Sequence, residues 1–584
     1  MTRSARLTLA LLAAALLLPG LPAAAQEAAQ CSQTPLTGTV VYERCEVPAL
    51  DGTETLRVEI VRDTAVGDAP VILTYSPYTI IGDALDSGQP ANDTLAGQYV
   101  PQGYARALGD VLGTRGSSGC WDYGGLDEQQ SGVDLVNWLA AQPWSNGNVG
   151  MIGGSYDGTT ATMVAARGGD APGLKAIVPI VGISRWYGYA WSSGVRYFLN
   201  TDRPTDEGFD TPLAFDFGFG RVPPVDYTHD GAVDAALDRT GECGSIEHTE
   251  RGYLDPDYDE FWLERDYRKD AADFRAAVLV AHAWQDYNVK QEEGVKLFEA
   301  LPVDDPSTPT VDGVPFKRLY VYQGGHRSPS GERWTTLLAD FFAQTLKGED
   351  TGVDDGPPVL TEGRTFGPAG APVSTGFRTE ATWPPVGATT VPLYLGRDTL
   401  AGGTLSTGRA AGSTASYTDT STTTEEAAKL APATEASWLY YASPPLASDV
   451  RLAGDAVLDL RLTVDRDSAH ATPVLVDVAP GGQLRTISRG FVDLQYRNTL
   501  AEAQPVPVGT PVRAQVVFKP QDQTIQAGHR IGVLVQSSNT AWAVPDTPGA
   551  TVTVHHGART VSGRLTLSRL LLPLVNPPAT LFGQ

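Results

Sequence analysis

A mostly parallel α/β region followed by an all-β region is the fold class this sequence predicts, and three observations predict it. From about residue 40 to 350, short apolar runs alternate with loops and helix-like stretches, as in a parallel sheet. After Gly348 the texture changes to short alternating runs separated by glycine and proline turns, as in a β-sandwich or jelly roll. At Gly153-Gly154-Ser155-Tyr156-Asp157-Gly158, the apolar run Val149–Ile152 passes through a tight turn into the helix-like Thr159–Ala166. That is the strand–turn–helix pattern of a nucleophile elbow, with its second glycine one position later than in the commoner spacing.

The segment 1–25 reads as a signal peptide. Arg3 and Arg6 precede the apolar run Leu7–Leu18, and Ala23-Ala24-Ala25 supplies a small-residue cleavage site. A secreted protein is therefore expected, and no later run is long and apolar enough to span a bilayer. The net charge of −25 makes nucleic acid and anionic membrane poor partners. Oligomeric state is not readable from composition. Four cysteines in an exported chain suggest two disulfides. Three pairings are possible, of which we favour Cys31–Cys45 and Cys120–Cys243. No His/Cys cluster suggests a metal, and no motif suggests a cofactor.

The next region, 26–352, carries the expected buried strands Val71–Tyr75, Tyr104–Asp110, Val149–Gly153, Ala176–Val181, Val278–His282 and Arg318–Tyr322, with a helix at Gly132–Ala141. Between Val181 and Val278 the alternation breaks. An insertion of that size is commonly a cap, here expected at 183–272. The last region, 353–584, holds the expected strands Val391–Leu395, Trp438–Ser443, Ala456–Val464, Thr472–Val478, Val512–Phe518, Arg530–Gln536 and Thr551–His555. Ser406–Thr424 reads as a surface loop.

A serine hydroxyl is a poor nucleophile without a base. In folds with this elbow the partners follow in the order serine, acid, histidine, on loops after late strands. Asp286 follows the run Val278–Val280 and His326 follows Leu319–Tyr322, so both fall at the carboxyl edge of the sheet. His282 lies inside its strand and reads as a core histidine.

Ser76-Pro77-Tyr78, the run Asp110–Gly119, Gln142-Pro143-Trp144-Ser145-Asn146-Gly147 and Asp259-Glu260-Phe261-Trp262 complete a pattern that resembles the Xaa-Pro dipeptidyl-peptidase and cocaine-esterase family of α/β-hydrolases. The resemblance runs from about residue 40 to 575. It implies an α/β-hydrolase sheet with an inserted mainly helical cap and a C-terminal all-β, galactose-binding-like jelly-roll domain. By the same resemblance Ser155 is the nucleophile, Asp286 the acid and His326 the base. Tyr78 and the backbone N–H of Tyr156 form the oxyanion hole. Leu112 stands where the family has arginine, and Asp157 where many members carry leucine or glycine.

The family contains dipeptidyl-peptidases and esterases or acylases of small substrates, so a peptide or small acyl substrate is expected. Asp286-Tyr287-Asn288-Val289-Lys290 resembles the dipeptidyl-peptidase members more. Trp186, Tyr187 and Trp191 could line a pocket for a proline ring or an aromatic acyl group, or simply pack the cap. Asp157, Asp255, Asp257, Asp259 and Glu260 are candidates for binding a substrate amine, and the sequence singles out none. The role of Asp157 stays open.

Overall fold

The computed structural model describes residues 29–78, 93–114, 116–197, 255–302, 316–397, 402–409, 412–430, 436–545, 549–559 and 565–583. The expected signal peptide and Cys243 lie outside these residues, as does the stretch 198–254 of the expected cap.

The first region is built on a sheet whose centre is parallel. Ala69–Ser76 pairs in parallel with Ala105–Asp110 on one side and with Ser145–Gly154 on the other. Leu174–Ile180, Ala277–Ala283 and Lys317–Tyr322 follow in order, all parallel. These strands are buried along nearly their whole length, which is why they read as continuous apolar runs rather than alternating ones. At the other edge lies an antiparallel meander, Gln30–Thr37, Val40–Ala49 and Glu54–Asp63, joined to the sheet through Ala105–Asp110. Cys31 faces Cys45 across the first of these pairs and is disulfide-bonded to it. Cys120 is also disulfide-bonded.

The expected helix is longer than predicted, Leu126–Ala140, because its first turn carries acidic and polar residues. The helix Glu332–Lys347 buries Trp334, Leu338, Phe341, Phe342 and Leu346 against the sheet. The described parts of the cap are the short helices Trp186–Ala190 and Glu260–Glu264, a two-strand hairpin and the 3-10 turns Tyr267–Asp273.

The sheet runs past the boundary expected at residue 352. Val359–Phe366 adds to Lys317–Tyr322 in parallel, then pairs with Pro372–Glu380, and touches the second region through Arg364 opposite Gln523. The second region is almost wholly antiparallel around its own apolar core, which includes Leu393, Leu458, Val516, Val533 and Leu572. The stretch expected to be a surface loop is partly sheet: Thr414–Thr418 pairs with Thr551–His555. Its serines and threonines lie on the solvent side of that strand while Tyr417 points inward, so composition alone read as loop.

Candidate active site

Ser155 ends the strand Ser145–Gly154 and starts the helix Tyr156–Ala166. Its φ of 60° and ψ of −124° are a strained conformation for a residue with a side chain. Three backbone bonds hold it: its N–H donates to Ile180 O at 2.9 Å, and its carbonyl accepts from Gly158 N at 3.0 Å and Thr159 N at 3.1 Å. The glycines that frame the turn are there for space. A Cβ on Gly153 would stand 2.1 Å from Asp157 Cβ, and one on Gly158 would stand 2.9 Å from Ile180 O. The off-pattern Gly158 is thus the position where this helix crosses the neighbouring strand.

The loops after Ala277–Ala283 and Lys317–Tyr322 are zipped to each other. Gln285 N donates to Gly324 O at 2.9 Å, and Gly324 N donates to Gln285 Oε1 at 3.0 Å. This brings Asp286 and His326 together. His326 Nδ1 lies 2.8 Å from Asp286 Oδ2, and His326 Nε2 lies 2.9 Å from Ser155 Oγ. Asp286 is fully buried, and its other oxygen accepts from Asn288 N at 3.0 Å and Val289 N at 3.1 Å. With Nδ1–H on the carboxylate, Nε2 is left to accept the serine proton. This arrangement can make an alkoxide-like nucleophile and stabilise the imidazolium that results.

The Tyr78 hydroxyl donates to Ser155 Oγ at 3.1 Å and accepts from Tyr156 N at 3.2 Å. Burial and the nearby Asp157 charge push the Tyr78 phenol well up, so it stays a neutral O–H donor. The phenol O–H thus points at the serine oxygen and the Tyr156 N–H at the phenol oxygen next to it, which leaves two donors close to where a tetrahedral oxyanion would form.

Below that point the Tyr156 ring is anchored. Its hydroxyl donates to Glu128 Oε1 at 2.6 Å and accepts from Trp121 Nε1 at 2.6 Å. Glu128 is fully buried and also accepts from Gly124 N at 2.8 Å. Burial and the Asp122 carboxyl push Glu128 well above the usual carboxylate range.

His282 is fully buried, as expected for a core histidine, but it also braces the acid turn: its Nε2 meets Val289 O at 2.9 Å. Burial pushes its imidazole down. Sequence reasoning missed this brace and the Gln285 zipper. Neither contact leaves a signal in the sequence, because His282 and Val289 meet across an irregular turn and Gln285 meets a distant loop.

Trp186, Tyr187 and Trp191 do not form an exposed box. The Trp186 ring packs on Tyr123 at 4.3 Å and Tyr156 at 5.4 Å, and its Nε1 donates to Tyr267. Tyr187 packs on Tyr258 and Trp262, with its hydroxyl accepting from Gly194 N. These rings join the cap to the sheet because their polar tips find partners inside. Leu112 is buried in the core, and its N–H donates to Tyr75 Oη at 2.9 Å. Asp157 sits in the first turn of the elbow helix, facing the Tyr78 phenol. Among the described residues no group of His, Cys, Asp and Glu could hold a metal ion, and no helix is long and apolar enough to cross a membrane.

Residues 51–328 match the family described as X-Pro dipeptidyl-peptidase (S15 family), and residues 351–569 match the X-Pro dipeptidyl-peptidase C-terminal non-catalytic domain. A Streptomyces avermitilis relative, named "Putative Xaa-Pro dipeptidyl-peptidase", is 29% identical over 88% of this chain and 81% of its own. The cocaine esterase of a Rhodococcus species is 26% identical over 84% of this chain and 90% of its own. The fold is similar to that of an aminopeptidase from a marine-sediment thaumarchaeon, with a TM-score of 0.70, 21% identity and coverage of 93% and 98% of the two chains.

Proposed function

The first region belongs to the X-Pro dipeptidyl-peptidase S15 family and the second to its C-terminal non-catalytic domain; from that premise we propose that this serine hydrolase releases Xaa-Pro dipeptides from peptide N-termini. The observation that carries the reading is the continuous hydrogen-bonded path from Asp286 through His326 to Ser155, with the Tyr78 hydroxyl, itself held by Tyr156 N, donating to the serine oxygen.

In the proposed reaction His326 Nε2 takes the Ser155 proton as Oγ attacks the carbonyl of the penultimate proline. Tyr156 N–H and Tyr78 O–H hold the oxyanion. His326⁺ then protonates the departing amine, leaving an acyl-enzyme on Ser155. A water molecule, deprotonated by His326, releases the dipeptide and restores the serine. Asp286 keeps the imidazole in the productive tautomer throughout.

The 26% identity to a cocaine esterase favours a second reading, an esterase or acylase using the same groups on small acyl substrates. A Gly-Pro or Ala-Pro anilide assayed beside a short-chain acyl ester separates the two. Brisk anilide turnover is expected; negligible anilide turnover with fast ester hydrolysis would establish the second reading. Export through the leader at 1–25 is part of the proposal, and the Cys31–Cys45 disulfide supports an oxidising compartment. Mass analysis of the mature N-terminus tests it, with Gln26 expected first.

A further inference from the structure

The turn that carries Asp286 is held from outside by the second region, at four points. Gln521 Nε2 donates to Trp284 O at 2.8 Å in a fully buried contact. The Trp284 ring lies 5.1 Å from that of Trp383. Lys519 pairs with Glu292 just past the turn. Between these, the Tyr287 ring, next to Asp286 in the chain, meets Trp542 at 5.0 Å and lies 4.4 Å from the Arg489 guanidinium.

Arg489 is built for two tasks at once. Its edge grips Glu425, with Nε on Oε2 at 2.6 Å and Nη2 on Oε1 at 2.5 Å. Its remaining faces meet Tyr287 and, at 4.1 Å, Trp542. Glu425 is itself fixed by Asn539 Nδ2 at 3.1 Å and Thr486 Oγ1 at 3.3 Å. A planar fork can bind a carboxylate by its edge while its faces stay on aromatic rings; an ammonium cannot. For stability alone a buried ion pair offers little over apolar packing, whereas a fixed flat cation is what a ring clamp needs.

We propose that Arg489, locked by Glu425, is a positioning residue of the active site: it clamps Tyr287 and thereby holds Asp286 in reach of His326. This gives the C-terminal region a part in catalysis, and it rests on the reading of Asp286 as the acid. The two N–H groups that hold the Asp286 carboxylate, from Asn288 and Val289, lie immediately beyond Tyr287. A shift of the ring therefore moves the carboxylate and its donors together, and a misplacement of about 1 Å at a reacting group can cost up to ~10²-fold.

The test is Arg489→Lys, which keeps the buried charge on Glu425 but loses the flat face. The expected result, measured well below the melting temperature, is a fall in kcat of about 10-fold with KM within about 2-fold. The acid limb of the kcat–pH profile should also move, a readout that a merely structural contact would leave in place. Arg513→Lys, on the buried Asp459 elsewhere in the same region, serves as control and should leave both unchanged. Tyr287→Leu should reproduce the kcat loss and the limb shift, and stands in if the lysine variant does not fold. Unchanged kcat and acid limb in the folded variants, with only a lower melting temperature, would reduce the clamp to a structural contact. If Ser155→Ala retained activity, the reading of the site itself would fail, separately from the clamp.

Discussion

Glu128 and Glu425 are both fully buried, one in each region, and their surroundings drive them in opposite directions. Glu128 faces another carboxyl, Asp122, and the Tyr156 phenol, so burial and like charge push its carboxyl up. Glu425 faces the Arg489 fork and Lys429, and these hold it below the usual range despite burial. Burial therefore does not decide the charge of an acid; its partner does. The contrast extends to the regions as wholes. In the first, one set of buried polar groups, including Glu128, Asp286 and His282, braces the serine turn and its partners. In the second many are paired with each other, as in Arg451–Asp522 and Asp477–His529, while Arg489, Lys519 and Gln521 also reach across.

Substitutions at the serine turn should accordingly be read out in rate, and those that break an ion pair inside the second region in stability as well. The largest effect expected is that of Ser155→Ala, a loss of about 10⁶ in kcat with an unchanged denaturation midpoint. Residual turnover within a few fold of the parent would remove the serine from its role. Next comes Glu425→Ala, which strands the Arg489 cation in the interior and should cost about 3–5 kcal/mol in urea unfolding. A cost below about 1 kcal/mol would show that the pair contributes no more than a surface ion pair. Tyr78→Phe should lower kcat by about 10²–10³, while the loss of the phenol's resting bonds to Ser155 Oγ and Tyr156 N should cost no more than about 1–3 kcal/mol of stability.

The smallest and sharpest test is of pH dependence. A carboxyl raised on folding, such as Glu128, contributes stability that is full below its unfolded value near 4.5 and is lost as pH rises through the folded value. A lowered one, such as Glu425, contributes stability present above about 4.5 and lost as pH falls through its folded value. Urea midpoints measured against pH should therefore diverge with opposite sign. Glu128→Gln should gain on the parent as pH rises above about 5, and Glu425→Gln should gain on it as pH falls below about 4. Neither difference should exceed about 1.4 kcal/mol per pH unit. Parallel curves for the two variants would contradict the opposite directions.

Much of the fold was legible because parallel strands are buried on both faces and so read as unbroken apolar runs. Val278–His282 and Arg318–Tyr322 were each recovered to within one residue at either end. The antiparallel meander Gln30–Asp63 was less legible, because its first strand is exposed throughout and carries little periodic signal. Thr414–Thr418 was hidden by its composition. The aromatic run Arg185–Trp191 announced bulk but not direction. Only the presence of Tyr123, Tyr258 and Trp262 around it turns those rings inward.

By itself the sequence determined the order of the candidate residues along the chain: a serine on a strand-to-helix turn, then an acid and a histidine after later strands, while the tyrosine after an early strand was marked only by resemblance to the family. It could do so because each of these is a local event, a strand end followed by a turn of particular residues. The tertiary structure alone decided that Asp286 and His326, 40 residues apart, meet through the Gln285–Gly324 zipper. It alone decided that Gly158, not a glycine at 157, lies where helix and strand cross, and that Arg489 reaches the turn beside Asp286 from 202 positions down the chain. Such contacts are written in the way two sheets pack against each other, and no local pattern of residues encodes that distance.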